Sequence, residues 1–212
     1  MLRKLCLSDR RSIGHKNRVE RNETQQELND MAYLLRGLIL LMVAGIVLTL
    51  LLALQLVELP MGHIKVAIPA FIYTIFAQAF VMFYFIGVAR LVENVYTILQ
   101  SGGSNLKELF ENPPENLEPY ITRVGRFHYE AQLGKRQTVP WSILMLVLGM
   151  VAFLLGGAHD TALVSKNVHA GVVYGFTVAM LIGFVRQWFY LKKAHILLRK
   201  IKGLFEIPDG QM

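Results

Sequence analysis

Four polar residues stand out in a chain otherwise poor in reactive groups: His63, His159, Asp160 and His169. All four lie at or near the ends of long apolar stretches, and imidazole is a common ligand of haem iron and of transition metals. His159 and His169 flank one short connection, so a tight hairpin brings one helix end and the next helix start to similar depth. Asp160 can then accept an imidazole N–H and fix the ring, the role a carboxylate plays beside a metal-bound histidine. The expectation is that His63, His159 and His169 ligate haem b or a transition metal, with Asp160 orienting a ring. The plainer alternative is that histidines at a membrane surface meet headgroups and water. His15, His128 and His195 receive no role.

No His-Glu-x-x-His helix, phosphate-binding loop, nucleophile elbow or dinucleotide fingerprint occurs. No catalytic residue is assigned, and the chain is read as non-enzymatic.

The elements that must position these histidines follow from composition. Of 212 residues, 54% are hydrophobic and 17% charged, with a mean hydropathy of +0.42. That is too apolar for an ordinary soluble domain. A helix needs about 20 apolar residues to cross ~30 Å of hydrocarbon. Four stretches free of Asp, Glu, Lys and Arg meet this need: Gly37 to Val57, Val66 to Ala89, Gln137 to Ala158 and Asn167 to Val185. The expected fold class is all-α, a four-helix membrane bundle built as two tandem helical hairpins, with short helices on the cytosolic side. A shift of 96 residues matches Ile86, Gly87 and Arg90 to Ile182, Gly183 and Arg186, and pairs His63 with His159. Such a duplication would place a pseudo-twofold axis along the membrane normal.

Charge sets the orientation. Of 22 Lys and Arg residues, only Lys65 and Lys166 fall in the two short connections. The rest flank the opposite ends of the spans, and cytosolic flanks retain positive charge during insertion. Both termini and the middle loop are therefore expected in the cytosol, with a bacterial inner membrane as the setting. The net charge of +7 then reflects basic flanks facing anionic lipid, and no nucleic-acid module is found. The opening Met-Leu-Arg-Lys-Leu-Cys-Leu lacks the apolar core of a cleavable signal, so span one is expected to act as its own targeting signal. Cys6 is the one cysteine, which leaves no disulfide framework.

The organisation read from these signals has five parts. Residues 1–36 form a cytosolic segment with a polar helix from Asn17 to Leu35. Residues 37–90 form the first hairpin, with spans 37–57 and 66–89. Residues 91–139 form a helical loop, with a helix stopping at Gly102-Gly103, a short helix capped by Ser104 and another from Pro119 to Leu133. Residues 140–190 form the second hairpin, with spans 140–158 and 168–190. Span three is expected to open at Pro140-Trp141 and to end at Gly156-Gly157. Residues 191–212 form a basic amphipathic tail along or just below the inner surface.

No charged residue lies deep in a span, which argues against an ion pump or proton-coupled transporter. The polar candidates inside the spans are Thr49, Gln55, Tyr73, Gln78 and Thr177, each expected to make an interhelical hydrogen bond. The aromatics of span two, from Phe71 to Phe85, are read as lipid-facing or packed ring surface in preference to a quinone or lipid pocket. Gly171-x-x-x-Gly175 provides a small-residue face for another helix, from this chain or a second copy.

The leading functional expectation is a subunit or scaffold of a larger membrane complex, its partners being the bilayer and other membrane subunits or copies of itself. The alternative is a membrane redox protein holding haem or a metal through the histidines named above. A second alternative is a small transporter built from the two hairpins.

Overall fold

The charge-free stretches become four helices, and three of these run far past their apolar parts. The computed structural model describes residues 33–57, 62–102, 106, 109–110 and 114–205. The expectations placed on Cys6, on residues 17–32, on Ser104 and on the end of the tail lie outside the described residues. Among the described residues the chain is all helical: α1 (Tyr33–Ala53), α2 (Gly62–Ser101), α3 (Glu118–Asp160) and α4 (Lys166–Phe205). All four are long and apolar enough to cross a bilayer.

The helices alternate in direction, which gives the bundle two unlike ends. The turn end carries the short connections after α1 and α3. The basic end carries the start of α1, the link from α2 to α3, and the end of α4. At 40, 43 and 40 residues, α2, α3 and α4 are each about 60 Å long, roughly twice the hydrocarbon thickness.

This length corrects one expectation. The helix from Pro119 and the span from Pro140 are a single helix, with Pro140 in its interior. Proline removes one N–H from the ladder, but a helix packed along its length by neighbours tolerates the loss. Thr138 on the preceding turn is fully buried and donates to the Gly134 carbonyl at 2.8 Å. The basic tail is likewise a continuation of α4, and it packs Leu197, Ile201 and Leu204 into the bundle's cores.

Two helix ends at the turn end close in the same way. Leu56 N–H reaches the Leu51 carbonyl at 3.0 Å and Gln55 N–H reaches Leu52 at 3.1 Å. Leu163 N–H reaches Ala158 and Ala162 N–H reaches His159, each at 2.9 Å. Both are Schellman closures that need a left-handed residue, and here Gln55 (φ 59) and Ala162 (φ 58) fill it. α3 thus passes through Gly156-Gly157 and ends at Asp160, closed by the left-handed Ala162. At the basic end, Gly102 (φ +64) terminates α2 where the sequence predicts.

The interior is stacked in layers. Nearest the turn end, Met42, Ile46, Ala77, Met145, Phe176 and Met180 pack together. The middle layer is built around Leu35, Ile39, Val81, Phe85, Val92 and Leu191. A third core at the basic end joins Leu99, Leu106, Phe110, Tyr120, Val124 and Leu204, with the Phe110 ring edge-on to Tyr120 at 5.1 Å.

Candidate functional site

The histidines are only partly brought together. α3 ends and α4 begins so that the rings of His159 and His169 lie nearly parallel, with centroids 6.1 Å apart and planes 12° from parallel. Gly156 leaves room for this approach, since a Cβ there would stand 3.3 Å from the His169 ring, a tight contact. His159 Nδ1 lies 3.2 Å from the Val164 carbonyl. A backbone acceptor therefore orients this ring, and in the neutral tautomer with Nδ1–H donated the Nε2 lone pair is left as acceptor or ligand. His63 belongs to the first turn of α2 and Asp160 to the last turn of α3, and their side chains lie outside the described residues. Among the described residues, no group of three or more His, Cys, Asp or Glu is placed to hold a metal ion.

The most developed polar structure lies elsewhere, between the first two core layers. Gln78 on α2 and Gln187 on α4 are both 0% exposed, as is Ser142 on α3. Gln187 Nε2 donates to Gln78 Oε1 at 2.7 Å and to Ser142 Oγ at 2.9 Å. Gln78 Nε2 donates to Gln187 Oε1 at 3.4 Å and to Met42 Sδ on α1 at 3.0 Å. A primary amide has two N–H donors, so all four are directed at acceptors. The node draws one residue from every helix and couples α2 to α4 across the bundle diagonal. With its donors saturated and its atoms fully enclosed, it is equipped to fix helix positions, not to receive a ligand.

The sequence pointed to Gln78 but not to its partners. Gln187 follows Arg186 and so falls outside the charge-free stretch, while Ser142 stands beside Pro140-Trp141, read as the start of a span. The signal that would find them is helical spacing: Gln187 falls on the line of Met180, Gly183 and Leu191, all buried.

The other polar candidates of the apolar helices divide. Tyr73 Oη donates to the Leu38 carbonyl of α1 at 3.4 Å, an interhelical bond. Thr49 and Thr177 bond within their own helices, to Gly45 and Val173, each at 2.8 Å. This is the usual recourse of a hydroxyl in an apolar helix. Gln55 terminates α1 and is exposed, and among the described residues it makes no interhelical bond of the expected kind. The aromatics of α2 do not converge on a pocket: Phe76, Phe80 and Phe83 face outward, Phe85 is in the core, and Phe71 stacks on Phe153 at 4.9 Å.

Small residues pack selectively. A Cβ on Gly183 would meet Met145 at 2.7 Å, and one on Gly149 would meet Phe176 at 3.2 Å. Gly171 and Gly175 face open space within this chain.

Toward the basic end, two arginines lie against tryptophans. Arg186 is 5.3 Å from the Trp141 ring and donates to Gln137. Arg36 is 5.5 Å from the Trp188 ring and 5.9 Å from that of Tyr33.

No family model, curated protein or solved structure matches this chain.

Proposed function

We propose that the chain is an integral membrane protein of four spans, arranged as two tandem hairpins, that serves as a non-enzymatic subunit or scaffold of a larger membrane complex. Its projecting basic end is the contact surface, held on the cytosolic side with both termini. A bacterial inner membrane is the proposed setting. The observation that carries this reading is the extension of α2, α3 and α4 past their apolar parts into a bundle with its own core of Leu99, Phe110, Tyr120, Val124 and Leu204. A chain whose only task was to cross the bilayer would not need so much packed helix beyond it. The saturated amide node adds rigidity and no reactive group. The open Gly171 and Gly175 face suits a second helix from a neighbouring chain.

Site-specific photo-crosslinking in native membranes tests this. A crosslinker at Tyr129, which is 70% exposed on the projecting part of α3, is expected to yield one discrete adduct. A crosslinker at Leu163, 81% exposed at the turn end, is expected to yield none. Absence of any adduct from Tyr129, together with monomeric migration in mild detergent, refutes the scaffold reading. A reporter fused after Met212 that reports the non-cytosolic side refutes the orientation.

A second reading is favoured by the His159 and His169 pair. With His63 and Asp160 near the same end, these rings would bind haem or a transition metal, and the chain would act in electron transfer. A visible spectrum and metal analysis of the purified protein decide it. A Soret band or bound metal lost in His159→Ala or His169→Ala supports this reading, and a colourless, metal-free preparation removes it.

A further inference from the structure

Arg36 is the last charged residue before the apolar stretch of α1. Its Nε is closed off from solvent and has no hydrogen-bond acceptor. The guanidinium lies beside the rings of Trp188 and Tyr33. Cation–π attraction offsets part of the cost of enclosing such a charge, but it supplies no oxygen to the N–H groups. α1 and α4 supply no carboxylate either, for neither contains an Asp or Glu, and the α2 group that the Arg36 charge reaches is the neutral phenol of Tyr84.

α4 adds cations instead. Trp188, Lys192, His195 and Arg199 recur at i, i+4, i+7 and i+11, so they share one face of the helix. The Arg36 and Arg199 charges both reach the His195 imidazole. Such a concentration of positive charge around a partly enclosed guanidinium calls for an anionic complement. Phosphate oxygens match the planar donor fork of arginine and accept several charge-assisted hydrogen bonds at once. The surroundings indicate which phosphate. Leu40, one turn along α1 from Arg36, and Phe189, adjacent to Trp188 on α4, are exposed apolar residues and offer surface to acyl chains.

We propose that the α1–α4 face at Arg36 is a binding site for the phosphate of an anionic phospholipid, with Arg36 as the principal ligand. The site rests on the reading of the chain as a membrane protein and is independent of any protein partner.

Native mass spectrometry of the full chain in detergent micelles tests it, with phosphatidylglycerol, phosphatidylcholine and inorganic phosphate added separately. The wild-type protein is expected to retain phosphatidylglycerol over phosphatidylcholine. Arg36→Gln should weaken that retention by about tenfold or more, the scale of a lost charge-assisted hydrogen bond. Arg36→Lys should recover part of it, and Arg90→Gln, at an exposed arginine on α2, should leave it unchanged. Circular dichroism and size-exclusion profiles of the variants show that they are folded. Equal retention of the two lipids by the wild type overturns the proposal. So does unaltered retention by Arg36→Gln. Binding of inorganic phosphate without lipid retention also overturns it. A protein that stays soluble without detergent would instead defeat the membrane reading itself.

Discussion

Replacing Gln187 with leucine removes a side chain of similar size together with both of its donated bonds, to Gln78 Oε1 at 2.7 Å and Ser142 Oγ at 2.9 Å. Leucine fills the space, so little of the cost is cavity. Most comes from Gln78, whose Oε1 loses its short donor and whose Nε2 is left with Met42 Sδ alone. An interhelical bond between spans contributes ~0.6 kcal/mol on average. A buried polar group left without its partner costs about 1–3 kcal/mol. Gln187→Leu is therefore expected to destabilise the fold by about 2–3 kcal/mol, and Gln78→Leu by a similar amount.

The double variant Gln78→Leu/Gln187→Leu is the informative one. It removes both amides and leaves only Ser142 without its donor, so its expected cost is about 1 kcal/mol, less than either single change. Reversible unfolding in mixed micelles, followed through Trp141 and Trp188 fluorescence, measures all three. A double variant that loses the sum of the two single losses to within about 0.5 kcal/mol would refute the coupled node. Single variants indistinguishable from wild type would refute it as well.

Four further outcomes follow from local geometry and charge. Gln55→Gly and Ala162→Gly, each relieving a left-handed residue with a side chain, should raise stability by about 0.5–1 kcal/mol in the same unfolding assay. Gly183→Ala forces the flexible Met145 side chain to move from 2.7 Å and should cost about 1 kcal/mol. Gly175→Ala, facing open space, should leave monomer stability unchanged and lower only a dimer population measured by crosslinking. Burial, then the charges of Arg199 and Arg36, hold the His195 imidazole below its ordinary value of 6.5. The unfolded chain then binds more protons between the two values, so stability should fall as pH drops through 6.5 and level off below the folded value. A pH titration of unfolding in which His195→Gln keeps the wild-type slope would contradict this.

The four apolar helices were legible because each records an uninterrupted absence of charge. The lengths of α2, α3 and α4 were not. Arg90, Arg136 and Arg186 end the charge-free stretches, yet the helices carry on past them, because a charge bounds an apolar band without breaking a helical ladder. Pro140 suggested a helix start for a similar reason: the rule that places proline at first turns describes isolated helices, and α3 is held on both sides of Pro140 by α2 and α4. Gln78 was visible as a lone amide among apolar neighbours, whereas Gln187 and Ser142 were hidden at the edges of their stretches. The 96-residue shift pairs Gln78 with Tyr174 and Gln187 with Leu91, and both of those partners are exposed. Whatever the history of the two hairpins, the node has no counterpart under that relation.

This asymmetry bears on how the bundle selects a single arrangement. Apolar layers alone tolerate sliding and rotation, since methyl groups of similar volume can exchange neighbours at small cost. An amide pair does not. Turning α4 by one residue, about 100°, would carry Gln187 out of reach of both Gln78 and Ser142 and leave two amides unpaired in an apolar interior. Met42 and Ser142 extend the same condition to α1 and α3. The node thus acts on register more than on stability, the use for which buried polar groups are best attested. Because α2, α3 and α4 run unbroken from the node to the core at Phe110 and Tyr120, register fixed at Gln78 and Gln187 also fixes which residues the basic end presents. For a scaffold, that fixed presentation is what a partner would read.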